Sequence, residues 1–189
     1  MGNMLTKTVL ASALVVTPLL AQTFGVVMDI SYVPERKQTH SSNYLSSAVA
    51  NEMVMGNPGI FFVDVRGPKE VARVGHPASI DAIVPVMVEG PDFDEVLKEH
   101  ILVDNPDFVE KMRLALSKSE RGLHDMVIVI CGSGVRSAMA VRELEEHGFT
   151  NVWHIPDGYD GDDKPGLNTQ NAWQNAQLPW SETLTAEVY

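Results

Sequence analysis

The chain has 189 residues, 44% hydrophobic and 21% charged, with a formal net charge of −11, the balance of an ordinary globular domain large enough to bury a core. The acidic excess argues against nucleic acid as a partner, because phosphate binding draws on a basic surface. One cysteine excludes an internal disulfide, so stability has to come from packing.

Residues 1–21 place Lys7 ahead of an uncharged apolar stretch, 9–21, that ends on the small residue Ala21. This is the pattern of a secretory signal peptide, and the stretch is shorter than the ~18 to 20 residues of a bilayer span. Met1-Gly2-Asn3 also fits the loose myristoylation pattern, but the apolar segment behind it argues for export. The expectation is a periplasmic protein with no stable membrane span after cleavage, its lone thiol facing an oxidising medium. Residues 22–40 read as a linker or N-terminal arm, 41–180 as the domain, and 181–189 as a C-terminal tail.

Residues 44–55 have helical spacing and stop at Gly56-Asn57-Pro58-Gly59. Residues 60–65 are the first clear strand, and 67–74 a turn into a short helix ended by Gly75-His76-Pro77. The pattern predicts a strand over 83–88 and helices over 91–100 and 105–119. The second helix has Phe108, Met112, Ala115 and Leu116 in register behind the capping sequence Asp104-Asn105-Pro106-Asp107. A strand over 127–130, a helix over 137–147 and a strand over 151–155 complete the series. Strands alternating with helices imply a largely parallel sheet covered on both faces. Such sheets bind ligands at the carboxyl ends of their strands.

Cys131 occupies that position, at the end of Val127-Ile128-Val129-Ile130 and before Gly132-Ser133-Gly134-Val135-Arg136-Ser137. A lone cysteine is often a small core hydrophobe. Here the strand-to-helix turn surrounds the sulfur with backbone N–H groups and the positive end of a helix dipole, which favours a thiolate and binds anions. Arg136 adds a fixed cation suited to oxyanions. A phosphatase-type anion loop would also set Cys before Arg at a helix start.

These residues resemble the rhodanese (sulfurtransferase) family. Phe61-Phe62-Val63-Asp64-Val65-Arg66, then Glu70 and Gly75-His76, are similar to its first core strand and the segment after it, and 131–137 to its active-site loop. Gly75-His76-Pro77, the stretch from Asp157 to Asp162, and Leu178-Pro179-Trp180 look like those of single-domain exported bacterial members. In that family a six-residue loop, as from Cys131 to Arg136, goes with sulfur transfer and a seven-residue one with phosphatases.

The resemblance implies a single α/β domain with a five-stranded, largely parallel sheet. It makes Cys131 the catalytic nucleophile that carries persulfide sulfur, with Gly132, Ser133, Gly134, Val135, Arg136 and Ser137 binding the substrate and Asp64, Arg66, Glu70 and His76 supporting. The implied partners are a small sulfur anion such as thiosulfate, a thiol or cyanide acceptor, and a possible protein donor or acceptor. No cofactor and no metal is expected. The alternatives are a persulfide carrier or protein-binding module with little small-molecule turnover, and a phosphatase or arsenate reductase. Many members carry a basic residue where this chain has Gly132, which puts strong thiosulfate affinity in doubt. His76, His147 and His154 are too scattered for a metal set and read as isolated surface histidines, His76 excepted. The acidic run Asp157, Asp160, Asp162, Asp163 lacks the terminal Glu of a calcium loop and reads as a solvated turn.

Overall fold

A computed structural model describes residues 28, 30–162 and 171–184 of the chain; the expected signal segment, residues 1–21, lies outside them. Two 3-10 turns, Ile30–Tyr32 and Glu35–Lys37, come first. The further elements are α1 (Ser47–Gly56), β1 (Phe61–Asp64), α2 (Pro68–Val74), β2 (His76–Pro77), β3 (Ala82–Ile83), β4 (Met87–Asp94) and β5 (Glu99–Asp104). They continue with α3 (Phe108–Lys118), β6 (Val127–Ile130), α4 (Val135–Glu146), β7 (Val152–His154) and β8 (Trp180–Ser181).

Four strands form a wholly parallel sheet in the order β3-β1-β6-β7. Side chains alternate along a strand, and here they divide one core into two. Phe61, Val63, Val127 and Val129 pack with Phe108, Met112 and Leu116 of α3 and Ala140, Val141 and Leu144 of α4. Phe62, Ile128, Ile130 and Trp153 pack with Ala50 and Met53 of α1 and Val71 of α2. Helices therefore cover both faces, which is why β1 and β6 are apolar at every position but Asp64. Each such aliphatic side chain contributes about 1.5–3 kcal/mol by leaving water.

Two expectations are corrected. The sheet has four strands among the described residues, not five: at its β7 edge, Tyr44 makes only an isolated parallel bridge to His154. The helix expected over 91–100 is instead part of an antiparallel hairpin, β4 with β5. Gly90-Pro91 interrupts any helix there, and the register shifts between Glu89 and Phe93 as a bulge does. Asp94 then accepts hydrogen bonds from the Val96 and Leu97 amides at 2.8 and 3.0 Å, an Asx turn that reverses the chain. The predicted 83–88 strand is divided: Ala82–Ile83 joins the sheet and Met87 begins the hairpin.

The N-cap of α3, Asp107, makes no side-chain capping bond, and Asn105 instead orders the turn before the helix. Its side chain accepts from the Asp107 amide at 3.1 Å and donates to Pro85 O at 2.7 Å. After β7 the chain returns through Trp173, fully buried against Phe62, to β8, which pairs antiparallel with β2.

Candidate active site around Cys131

Cys131 follows β6, the interior strand between β1 and β7, and its side chain is completely buried. Its Sγ accepts the backbone N–H groups of Gly134 at 3.1 Å and Ser137 at 3.2 Å and lies 3.4 Å from Ser137 Oγ. Gly132, Ser133, Val135 and Arg136 shape the turn without donating to the sulfur among the described residues. Gly134 is the N-cap of α4 at φ +89°, a conformation that suits glycine. Gly158, at φ +71°, lies against the Gly132 carbonyl, which a Cβ there would strike. That close approach seats the 156–161 segment on the loop: Tyr159 N–H donates to Cys131 O at 2.8 Å and Asp160 N–H to Gly132 O at 3.0 Å.

The two arginines expected near the sulfur are already engaged. Arg136 holds Glu70 in a fork, both contacts at 2.6 Å. Burial opposes both charges, but the pairing prevails, holding Glu70 below its ordinary carboxylate range and Arg136 above its ordinary value. Arg66 is fully buried; its Nε and Nη2 donate to Asp64 and Nη2 also to Gly75 O at 2.8 Å. Burial pulls Arg66 down, and Asp64, with smaller help from Asp160 and Glu70, raises it above its ordinary value. Its Nη1 has no hydrogen-bond partner among the described residues and lies 3.8 Å from Asp160 Oδ2, while the guanidinium stacks 4.3 Å from the centre of the Tyr159 ring.

A Cβ at Gly132 would lie 3.1 Å from Asp160 Oδ2, 3.4 Å from Arg136 Nη2 and 3.5 Å from Glu70 Oε1. The space above Gly132 thus faces two carboxylates and one paired guanidinium.

The model of the Rhodanese-like domain matches residues 46–163 of the chain. The chain belongs to the rhodanese-like domain family. It is 35% identical over 127 residues to thiosulfate sulfurtransferase 16, chloroplastic, of Arabidopsis thaliana, covering 67% of this chain and 91% of that one. An uncharacterized protein of Rickettsia conorii is 28% identical over 136 residues, 72% of this chain and 94% of its own. The crystal structure of Rv0390 from M. tuberculosis superposes with a TM-score of 0.52 at 26% identity, covering 74% of this chain and 97% of that one. These likenesses make it a protein of a sulfurtransferase-type family.

Behind the loop, this rhodanese-like chain has a polar connection that sequence reasoning missed. Ser137 Oγ is 3.1 Å from Gly134 O and 3.0 Å from His154 Nδ1, and His154 Nε2 is 2.9 Å from Lys37 O. His154 is not a surface histidine but fully buried. Burial, with the nearby Lys37 and Arg142 charges, pushes its pKa down to about 3 against the hydrogen bond to Lys37 O, so it is neutral. The signal was its place in an otherwise apolar strand. Lys37, also buried, reaches Pro156 O at 2.9 Å and Asp162 at 3.3 Å, and Arg36 pairs with Asp162 too. Asp162 is therefore a charge-paired anchor and not part of a solvated turn; Asp163 lies outside the described residues.

His76 sits in β2, its ring nitrogens facing Pro77 O at 2.8 Å and Thr183 O at 3.2 Å. The fold thus brings Glu70, Arg136, Gly132 and Asp160 together beside the loop, sets the Asp64–Arg66 pair next to Asp160, and leaves His76 bonded toward the C-terminal segment. A groove of about 630 Å³ runs between the start of α2 and the β4–β5 hairpin, with Glu70, Met87, Phe93 and Leu102 among its lining.

Proposed function

We propose that this protein is a sulfurtransferase in which Cys131 accepts sulfane sulfur as a persulfide and passes it to a thiol or cyanide. The observation that supports it most directly is the seating of Sγ against two backbone N–H donors, Gly134 and Ser137, at the carboxyl end of β6. Such preorganised donors would stabilise negative charge that develops on the sulfur during transfer. The nucleophile attacks the outer sulfur of a donor such as thiosulfate, with sulfite as leaving group and electron-pair acceptor. The second nucleophile then attacks the outer sulfur of the persulfide and restores the Cys131 thiolate.

Incubation with a donor should add one sulfur to the intact mass, and Cys131→Ser should abolish the gain. A wild-type chain that stays unmodified under excess thiosulfate and excess alkyl persulfide would overturn the reading.

The complete enclosure of Sγ favours a second reading, a persulfide carrier that reacts with a protein partner and turns over small molecules poorly. Persulfide formation without cyanide turnover would distinguish it. The phosphatase and arsenate reductase alternatives have less support, because the loop from Cys131 to Arg136 has six residues, the length that goes with sulfur transfer in this family.

The setting we propose is the periplasm, on the strength of the signal-like sequence of residues 1–21. N-terminal sequencing of protein from its host should find a start near Gln22; an intact Met1 on cytosolic protein would refute it.

A further inference from the structure

Three carboxylates, Asp64, Glu70 and Asp160, stand with two guanidiniums, Arg66 and Arg136, beside the Cys131 loop. Asp64 with Arg66 and Glu70 with Arg136 form close forks. Asp160 is the carboxylate left over: its Oδ2 is no nearer than 3.8 Å to Arg66, and its side chain is 44% exposed. Burial raises its pKa, Arg66 and more weakly Arg136 oppose the rise, and Glu70 and Asp64 add to it. Its oxygen faces the space above Gly132. A doubly charged inorganic donor approaching here meets one unbalanced negative charge and no free guanidinium among the described residues.

The groove next to the site has a different character. Glu70 joins the two, lining the groove while its carboxylate holds Arg136. The cations of the groove wall have carboxylate partners: Lys69 with Glu89 at 2.8 Å, Lys98 with Glu95 at 2.8 Å, and Arg73 with Glu99 at 3.5 Å. Met87, Phe93 and Leu102 give it apolar surface, and about 630 Å³ suits an organic molecule far larger than thiosulfate.

Resting on the sulfur transfer proposed for Cys131, we infer that Asp160 is a specificity-determining carboxylate, turning the site from dianionic inorganic donors toward an organic persulfide, R–S–SH, with an uncharged or cationic R group seated in the groove. The step balances. The Cys131 thiolate attacks the terminal sulfur, the new Sγ–S bond forms, and the R–S–S bond breaks. The electron pair leaves with R–S⁻, which takes a proton from solvent. The Cys131 sulfur rises by one unit of formal oxidation state as the R-bearing sulfur falls by one, the transferred sulfur is unchanged, and no further reagent is required.

Alkylation of Cys131 by neutral iodoacetamide and anionic iodoacetate at pH 8 reads the local field without any sulfur transfer. Asp160→Asn should raise the iodoacetate-to-iodoacetamide rate ratio by about 3- to 10-fold at low salt, and the gain should shrink in 0.5 M salt, where the screening length is a few ångström. With 2-hydroxyethyl persulfide and thiosulfate as donors, the wild type should have the higher kcat/KM for the persulfide. Asp160→Asn should improve thiosulfate alone. Leu102→Glu, on the exposed hairpin, should lower kcat/KM for the persulfide roughly fivefold and spare thiosulfate. An unchanged alkylation ratio in Asp160→Asn, thiosulfate outpacing the persulfide in the wild type, or a Leu102→Glu chain indifferent to the persulfide would overturn the inference. Sulfur gain from neither donor would instead remove the sulfur-transfer reading, while the alkylation ratio would still decide the role of Asp160.

Discussion

Ser137 Oγ lies 3.0 Å from His154 Nδ1 on one side and 3.4 Å from Cys131 Sγ on the other. Because His154 Nε2 faces a carbonyl, that nitrogen carries the ring proton and Nδ1 accepts. The single hydroxyl proton of Ser137 is therefore drawn toward His154 or Gly134 O, and the sulfur faces the lone pairs of the hydroxyl oxygen. His154→Leu removes one competing acceptor and frees the hydroxyl to donate to sulfur, where a bond to a charged group is worth about 1.5–3 kcal/mol at full strength. The iodoacetamide rate at pH 7 should rise at least threefold in His154→Leu, and no such rise should occur in a Ser137→Ala background. Equal rates in His154→Leu and wild type would show that His154 has no hold on the hydroxyl.

The same histidine sets an acid limit on stability. In the unfolded chain it takes a proton near pH 6.5, while in the folded chain it resists until about pH 3. The unfolded state binds the extra proton between those values, so stability present above pH 6.5 is lost as pH falls, by at most about 1.4 kcal/mol per pH unit. Glu70, held below its ordinary value, contributes in the same sense but only in the carboxylate range. Urea midpoints between pH 7 and 5 should fall for the wild type and stay flatter in His154→Gln. Parallel curves would contradict the neutral assignment.

Gly132→Arg tests the missing cation directly. Its side chain would start 3.1 Å from Asp160 Oδ2, offsetting a carboxylate that Arg66 pairs only at 3.8 Å. Exposed ion pairs are worth about 0.2–1 kcal/mol, so KM for thiosulfate should fall up to about fivefold at low salt and recover toward wild type as salt rises. An unchanged constant would mean that donor binding is limited elsewhere, for instance by access to the enclosed sulfur.

Gly158→Ala should be disproportionately damaging. A left-handed conformation costs a non-glycine residue roughly 1–2 kcal/mol, and here the added Cβ also strikes the Gly132 carbonyl. We expect a loss of at least about 2 kcal/mol in urea unfolding together with slower Cys131 alkylation, since the 156–161 segment braces the loop. Full stability and reactivity would show that the two segments can separate freely.

The parts of this structure governed by local pattern were legible in the sequence. Val127–Ile130 is a continuous apolar strand, buried on both faces as its composition implies, and Cys131 with its glycine turn follows from it. The hairpin was not legible, because Phe93, Val96 and Leu97 repeat at helical spacing. That pattern signals a helix only when a core collects it, and Val96 is 89% exposed. His154 and Asp160 were hidden for another reason. Their significance lies in contacts with Ser137, Lys37, Arg66 and the Gly132 carbonyl, none of which is a neighbour in the chain.

The pairing of β2 with β8 bears on when the site is finished. His76 meets Thr183 across 107 positions, and Gly75, whose carbonyl Arg66 holds, has Trp180 and Ser181 packed against it. Contacts so distant in sequence close late. During synthesis the sheet can assemble as soon as β7 is available, but the turn that anchors Arg66 has no lid until residue 181 has emerged. A chain cut before Leu178 would retain every strand of the parallel sheet but lose β8, leaving the Gly75 turn without its cover and the surroundings of Cys131 unfinished.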